Sequence, residues 1–436
     1  AALTTQSARG LMDHEFRRLQ LKNLIVGWGF GTARGSEDYP SKNTLKNLLK
    51  DFRPEEIWRA VLLRHVAAHL EEPIPSADWN ERAGFVRTDP EAEEKLLARA
   101  DRELRNNGQQ VLIVFDALER LGDDWPTIRV LTKGLLRVCL ETIQFRSIRT
   151  KLFMRPDMWE DTEIWAFPDA SKLHHSQANL QWRRADLYGM AWNRFANARG
   201  PAGDEFRTLL SQYQLTATML DAGFEKATSV YAIPDELRTS ETAQAQLLSS
   251  LASQYMGSNR RRGKTYTWLP THLADARGEI TPRSFLVALK RAEEKSRERR
   301  ADEILHYDGI KYGVQRASAV RLQELREDYV WIDTLLQPLR GMVVPATRQE
   351  IIARWRDAGA IEKIDAVTGT SDTESPRLPP HTLLDRYDEE EKEESLLGAL
   401  TQVGVANATA DGRINIPDLF RIAAGIGRKG GVRRTR

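Results

Sequence analysis

The clearest pattern of apolar positions in this chain is the run of five at residues 111–115, which ends at Asp116. A short continuous run of β-branched and aromatic residues is typical of a strand that is buried on both faces of a parallel sheet. The turn-forming residues 106–108 mark where this strand begins. Such a strand places Asp116 at the carboxyl edge of the sheet, where open α/β sheets collect their ligands.

The segments before and after this strand have apolar residues at helical spacing. From Trp58 to Val66, mostly apolar residues recur at spacings of three, four and seven, which predicts a helix. Residues 90–106 and 128–145 are also predicted to be amphipathic helices. His65 belongs to the first of these faces, so we expect it to be a packing residue. Short apolar stretches at 23–31 and 152–154 predict the neighbouring strands. The first part of the chain is therefore predicted to be α/β.

Residues 179–256 are predicted to be helical, with breaks near Gly200 and Pro234. A later helix is predicted to start at Pro282, because Thr281 is a good N-cap and proline suits the first helical position. Further helices are expected at 318–329 and 347–359.

The C-terminal part begins with residues 362–380, which are rich in Thr, Ser, Asp and Pro and predict a loop. A helix at 394–403 then precedes two short strands that are joined by the hairpin turn Asp411-Gly412. A helix followed by such a hairpin is similar to a winged helix, which is an α+β fold.

Composition narrows the class of protein. The chain of 436 residues is 41% hydrophobic and 29% charged, with a net charge of +2. No apolar run approaches the roughly 20 residues that cross a bilayer, so we expect a cytoplasmic protein without a membrane segment. The single cysteine, Cys139, lies in an apolar helix and is expected to pack in the core. His174-His175 lacks the partners of a metal site.

Asp116 and Glu119 together suggest nucleotide chemistry. An aspartate at a sheet edge can hold a hydrated Mg²⁺ against phosphates, and a second carboxylate three residues on can polarise a water. The sequence of residues 115–121, Phe-Asp-Ala-Leu-Glu-Arg-Leu, resembles the extended Walker B motif of STAND-type and KAP-type P-loop ATPases, which are bacterial relatives of the AAA+ enzymes. The alternative is an ordinary buried strand that ends at a helix, where acidic residues are favoured.

The resemblance implies a P-loop NTPase-type parallel sheet that binds ATP and Mg²⁺. It assigns Asp116 to the metal and Glu119 to water activation. It also implies that Arg155 is a polar sensor near the γ-phosphate, and that Arg283, in the Pro-Arg start of a lid helix, contacts the nucleotide phosphates. The alternatives are a surface Arg155–Asp157 pair and a plain surface arginine at 283.

No phosphate-binding P-loop is identified. Residues 29–35 are glycine-rich but contain no lysine. Residues 257–265 end in Gly-Lys-Thr, but they have one residue too many between the glycines, and residues 266–270 are expected to be non-helical. The family places this motif before the Walker B strand, so we expect it either upstream of Ala1 or in a disordered segment that is missing from this sequence. The absence of a P-loop there would remove the main support for an enzyme.

The predicted domains are an ATPase core at residues 1–185, a helical lid at 186–330 and a winged helix at 331–436. The family implies an oligomerising ATP switch, either a homo-oligomer or a subunit of an anti-phage defence complex. A nucleic-acid-binding regulator with a degenerate core and a scaffold subunit remain alternatives. Nucleic acid could be bound through the basic tail, whose cations are Arg428, Lys429, Arg433, Arg434 and Arg436. The acidic run 388–391 argues against DNA reading by the winged helix itself.

Overall fold

The computed structural model describes residues 23–428, apart from 34, 68, 71–77, 221–229, 300–301, 330 and 369–388. The chain divides near Asn179 into two compact units. The first is a mixed α/β unit with a parallel sheet, and the second is mainly helical. The predicted domain boundaries at residues 185 and 330 stay predictions.

The first unit is built on a parallel sheet with the strand order β1-β2-β3. Its strands are β1 (Leu24–Phe30), β2 (Gln110–Phe115) and β3 (Ile148–Leu152). Its helices are α1 (Lys42–Leu48), α2 (Pro54–Ala67), α3 (Trp79–Thr88), α4 (Pro90–Asn106), α5 (Trp125–Thr142), α6 (Pro156–Trp159) and α7 (Ala170–His174). The apolar run that predicted the central strand is confirmed as β2.

Trp58 of α2 lies at the centre of the core of this unit. Its ring packs edge-on against Phe30 of β1 and Phe115 of β2, with centroid distances of 6.4 and 5.7 Å. Its indole N–H donates to the carbonyl of Leu131 in α5 at 2.8 Å. One fully buried side chain therefore joins two strands and two helices, which explains the apolar period that begins at Trp58.

The boundaries of the elements depend on caps and pairing. Helix α4 spans the predicted range, because the Asp89 side chain accepts the N–H of Ala92 and Pro90 occupies the start. Strand β3 was predicted at 152–154 but lies earlier, since the fully buried Ile148 pairs with Val111. The intervening charged residues of β3 alternate outward, which hid the strand from an analysis of apolar runs.

The second unit contains the remaining elements. The helices are α8 (Arg184–Ala196), α9 (Pro201–Gln212), α10 (Asp235–Thr239), α11 (Glu241–Leu251), α12 (Thr265–Thr271), α13 (Pro282–Glu298), α14 (Tyr307–Asp328), α15 (Ile332–Leu336), α16 (Arg348–Asp357), α17 (Ala360–Thr368), α18 (Glu389–Gln402) and α19 (Asp418–Ala424). The strands are β4 (Thr218–Leu220), β5 (Val230–Ala232), β6 (Val343–Val344), β7 (Asn407–Ala408), β8 (Ile414–Asn415) and β9 (Gly427–Arg428). Short 3₁₀ turns lie at Leu118–Arg120 in the first unit and at Arg260–Arg262 and Gln337–Leu339 in the second.

Helices α13 and α14 approach each other closely. A Cβ at Gly313 of α14 would lie 2.2 Å from the carbonyl oxygen of Ala288 in α13, so only glycine fits at that position. Helix α13 starts at Pro282 with Thr281 as its N-cap, which confirms the predicted start. Helix α14 begins eleven residues before the predicted residue 318.

The C-terminal elements agree in part with the sequence. The hairpin is confirmed, since β7 and β8 pair antiparallel and Gly412 takes a left-handed φ of 78° in the turn. The helix capped by Thr347 is confirmed as α16. The prediction of a loop from residue 362 is wrong up to Thr368, which ends α17. The rest of that predicted loop, up to residue 380, lies outside the described residues, as does Asp388 of the acidic run.

None of the helices in the described part of the chain has the length and apolarity that crossing a lipid bilayer would require.

Candidate functional site

Asp116 lies immediately after the central strand of the first unit and is exposed. Its backbone N–H donates to the carbonyl of Phe30 at 3.1 Å, which continues the pairing of β1 with β2. Its Oδ1 accepts the N–H of Ala117 at 2.8 Å. Within the described residues Asp116 has no ion-pair partner. The carboxylate is therefore positioned by the sheet and open to solvent.

The chain reverses direction directly after Asp116. Ala117 takes a left-handed conformation, φ 56° and ψ 41°, which an alanine rarely adopts. The turn is held by Leu118 and Leu121, which are buried in the core, and by the bond from the Arg120 N–H to the Ala117 carbonyl at 2.9 Å. Backbone strain of this kind is concentrated at functional sites.

Glu119 lies in the 3₁₀ turn Leu118–Arg120, with a quarter of its side chain exposed. Its closest described cation is Arg120, whose Nε is 3.8 Å from Oε1, so this ion pair is loose. The turn thus presents a second carboxylate on the same loop as Asp116.

Arg155 follows β3 at the same edge of the sheet. Phe115 pairs with Leu152, and the N–H of Phe153 donates to the Phe115 carbonyl at 2.8 Å. The guanidinium of Arg155 forms two parallel hydrogen bonds with the Asp157 carboxylate, at 3.1 and 3.2 Å. The chain segments that carry Asp116 and Arg155 therefore follow neighbouring, paired strands at one edge of the sheet. The role of Arg155 as a sensor stays a prediction.

The glycines of β1 serve packing. A Cβ at Gly29 would lie 2.4 Å from the ring of Phe115, and one at Gly27 would lie 2.4 Å from Nδ1 of His65. The Nε2 of His65 lies 3.0 Å from the carbonyl oxygen of Trp28, so His65 is the satisfied packing residue that its position predicts. Burial lowers its pKa. These glycines are explained by close contacts with side chains and need no bound phosphate.

The Gly-Lys-Thr segment lies in the second unit and differs from expectation in one respect. Residues 266–270 were expected to be non-helical, but they belong to α12, with Pro270 inside the helix. The hydroxyl of Thr265 is buried and donates to the carbonyl of Ser253, so it is already engaged within the fold. That bond supports the rejection of this segment as a P-loop, because a P-loop hydroxyl must be available to Mg²⁺.

Arg283 also belongs to the second unit. It lies in the first turn of α13, and its Nη1 contacts Oε1 of Glu324 in α14 at 2.7 Å. The anion that a cation at this position requires is therefore supplied by the protein itself. A contact from Arg283 to nucleotide stays a prediction.

The proposed basic tail is described only at its start. Arg428 lies in β9, and its Nη1 is 3.5 Å from Oδ1 of Asp418. The remaining cations, Lys429, Arg433, Arg434 and Arg436, lie outside the described residues.

Sequence reasoning missed a buried polar cluster around Asp418. Its Oδ1 accepts a hydrogen bond from the Arg421 Nε at 2.7 Å, and both side chains are 3% exposed. His272 lies near the other carboxylate oxygen, with Nε2 3.7 Å from Oδ2. Burial lowers the pKa of this histidine. The Asp418–Arg421 pair has the i,i+3 spacing of an ordinary surface pair, and the contact with His272, far away along the chain, has no local signal.

The exposed carboxylate at the sheet edge is the type of ligand that Mg²⁺ prefers. Magnesium keeps several waters and is bound by one or two carboxylates together with the phosphates of its substrate. Asp116 supplies one such carboxylate. Within the described residues no cluster of three or more His, Cys, Asp or Glu side chains could hold a metal by itself. One exposed carboxylate at this edge fits the protein's share of such a site, in which nucleotide phosphates would supply further ligands.

The chain was compared with protein families, curated sequences and solved structures. No protein-family model and no curated protein sequence matches this chain. Among solved structures, the chain is similar to the ORC2 protein of Aeropyrum pernix, described in ADPNP-ADP complexes. The identity is 13%, the match covers 95% of this chain and 81% of that one, and the TM-score is 0.35. A likeness of this strength does not establish a shared fold.

Proposed function

We propose that this chain is part of an ATP-binding and ATP-hydrolysing protein, with its nucleotide at the carboxyl edge of the β1-β2-β3 sheet. The observation that carries the proposal is the exposed Asp116, which follows a strand buried in the centre of a parallel sheet and has no cation partner among the described residues. Carboxylates without an internal partner at this edge are available for a ligand.

The residues around Asp116 have distinct tasks in this proposal. Mg²⁺ would be held against the phosphates by Asp116 and would neutralise charge that develops there. Glu119 would orient and deprotonate the attacking water from the strained turn. Arg155, held in place by Asp157, would present a guanidinium to the terminal phosphate. The resemblance also implies a contact from Arg283 to nucleotide phosphate, which would require its Glu324 partner to be exchanged for phosphate.

The finer assignments rest on the resemblance to STAND-type and KAP-type ATPases. They include the P-loop itself, an oligomeric switch driven by hydrolysis, a cytoplasmic location and a role in anti-phage defence. We propose the switch because the resemblance to STAND-type ATPases implies an oligomerising protein that responds to ATP.

We propose further that the elements from β6 to β9 form a winged helix that binds protein or packs within the chain. The β7-β8 hairpin is extended by a bridge between Ala346 and Ile414, which gives the small sheet of such a fold. The helix before the hairpin, α18, uses its acids to bind α16: Glu393 pairs with Arg356 at 2.6 Å, and Glu394 with Arg348 at 2.7 Å. A helix of this charge would repel the phosphates of a duplex.

The experiment that tests the ATPase compares two variants in the full-length protein. Asp116→Ala should weaken Mg²⁺-dependent ATP binding in calorimetry, because the proposed carboxylate ligand of the metal is lost. Glu119→Gln should retain binding and slow phosphate release by about 10²–10⁴-fold, because only the base is lost.

Glu103→Gln, a change of the same chemistry in the exposed face of α4, is the matched control and should turn over as the wild type does. Wild-type hydrolysis rates in Glu119→Gln would show that Glu119 is not the base. Unchanged Mg²⁺-ATP affinity in Asp116→Ala would remove the proposed site.

A further inference from the structure

The loop between α11 and α12 contains four cations that no described residue neutralises. Arg260, Arg261, Arg262 and Lys264 are all exposed and form no ion pair within the described part of the chain. Elsewhere in the second unit clustered cations are paired: on α13, Arg291 binds Glu294 at 2.8 Å. Four clustered cations without an anionic partner repel one another, and binding of an external anion would relieve this repulsion.

The loop is built as a closed hairpin. An antiparallel bridge joins Tyr255 to Lys264 at its base, where the N–H of Met256 donates to the Gly263 carbonyl at 3.0 Å and that of Thr265 to the Gln254 carbonyl at 3.0 Å. These bonds fix the ends of the loop against α12. The cations are therefore presented from a fixed base.

The tip of the hairpin is a single 3₁₀ turn, Arg260–Arg262. The side chain of Asn259 caps it by accepting the N–H of Arg261 at 3.0 Å, and Gly263 ends it with a left-handed φ of 88°. Because a 3₁₀ helix has three residues per turn, the three arginines leave the tip in three different directions. The aliphatic stem of Arg262 lies over Gly257. One short turn can thus reach several separate anions at once.

We propose that residues 260–264 form a binding surface for the phosphate backbone of nucleic acid. Guanidinium groups bind phosphate oxygens through paired N–H donors, and a backbone that repeats its phosphates along a line matches several guanidinium groups on one tip. The loop sequence from Ser258 to Lys264 has no large apolar side chain, whereas a segment that inserts into a membrane surface carries them. The proposal is independent of the ATPase.

The direct test is binding of a fluorescent random-sequence 20-base-pair duplex by the whole chain, followed by anisotropy between about 50 and 200 mM NaCl. The triple variant R260Q/R261Q/R262Q should lose at least about tenfold in affinity at low salt. The slope of log K against log salt should fall by about 2–3, because roughly 0.9 counterion is released per phosphate neutralised.

The matched control is R291Q/K295Q/R297Q on α13. It also removes three positive charges, but from side chains that are paired with Glu294, Glu298 and Glu293. It should change the affinity less than about threefold. An equal loss in both variants would mean that only net charge matters, and it would overturn the proposal.

Further arms separate the sources of negative charge. The proposal would be overturned if poly-glutamate competed as well as DNA. It would also be overturned if vesicles with phosphatidylserine bound while DNA did not, or if ATP at equal phosphate concentration fully displaced the duplex. Lys264→Gln alone should give a loss of about twofold or more with an unchanged circular-dichroism spectrum. That single variant keeps the test valid if the triple variant is poorly folded.

Discussion

Asp116 and Asp418 are the same residue type in opposite situations. Asp116 lies exposed at the end of a buried strand, and among the described residues its carboxylate accepts only the N–H of the neighbouring Ala117. Asp418 begins α19, with a side chain that is 3% exposed, and binds the equally buried Arg421. The first carboxylate keeps its hydration, and the second has lost it. Burial therefore decides whether a carboxylate serves the fold or is available to a ligand.

The difference can be stated as an energy. Removing a carboxylate from water costs several kcal/mol, which Asp418 recovers mainly through Arg421, with weaker help from Arg428 and His272. Asp116 has no such cost. Substitution at the two positions should accordingly separate loss of stability from loss of function.

The largest effect is expected at the buried position. Asp418→Ala leaves the Arg421 guanidinium buried without its partner, and we expect the free energy of unfolding to fall by about 3–5 kcal/mol. Asp418→Asn keeps an oxygen for the Arg421 N–H and should cost less. Urea unfolding followed by circular dichroism measures both. A loss below about 1 kcal/mol for the alanine variant would show that the pair is not a structural element.

Glu93 of α4 is an intermediate case. Its side chain is 1% exposed and its closest described cation, Arg59, is 3.5 Å away. Burial raises the pKa of Glu93 to about 7, against the opposing charge of Arg59 and with help from Glu141 and Glu94. The folded protein therefore binds this proton more tightly than the unfolded chain does. The contribution of Glu93 to stability should fall as the pH rises from about 4.5 to about 7.

Glu93→Gln removes this penalty. At pH 8 the variant should be more stable than the wild type by up to about 3 kcal/mol, and at pH 4.5 the two should be equal. Glu94→Gln, at the exposed neighbouring position, should show no such pH dependence. Parallel curves of stability against pH for the wild type and Glu93→Gln would contradict this prediction.

The smallest effect on stability is expected at the sheet edge. Asp116→Asn should change the free energy of unfolding by less than about 0.5 kcal/mol, because an exposed side chain without a cation partner contributes little. The same preparation should bind Mg²⁺-ATP more weakly than the wild type, because a neutral amide oxygen is a poorer ligand for Mg²⁺ than a carboxylate. A loss of more than 2 kcal/mol in urea unfolding would assign Asp116 to the fold and end its contrast with Asp418.

Local signals account for what the sequence predicted well. The run at 111–115 became β2, because five apolar residues in a row have no stable place except between packed layers. The start of α13 was found through Thr281 and Pro282, which act on their own helix. Asp116 was found because its position depends on the strand that precedes it.

The failures come from contacts between distant residues. Helix α12 was missed because its aromatic residues are held by partners elsewhere: Tyr266 stacks on Tyr188 at 4.4 Å, and its hydroxyl donates to Gln244 at 2.7 Å. The Arg283–Glu324 pair joins residues 41 positions apart. No period or spacing along one stretch of chain contains that information, and tertiary packing overrides local propensity.

Gly29, near the carboxyl end of β1, affects how the candidate site tolerates substitution. The ring of Phe115 fills the space that a side chain at Gly29 would need, and Phe115 directly precedes Asp116. The position of Asp116 thus depends on the absence of a side chain at Gly29 of the neighbouring strand, which leaves room for the Phe115 ring. A single methyl group added at residue 29, in the core, would collide with the ring of Phe115 and displace the adjoining Asp116 without touching any charged group.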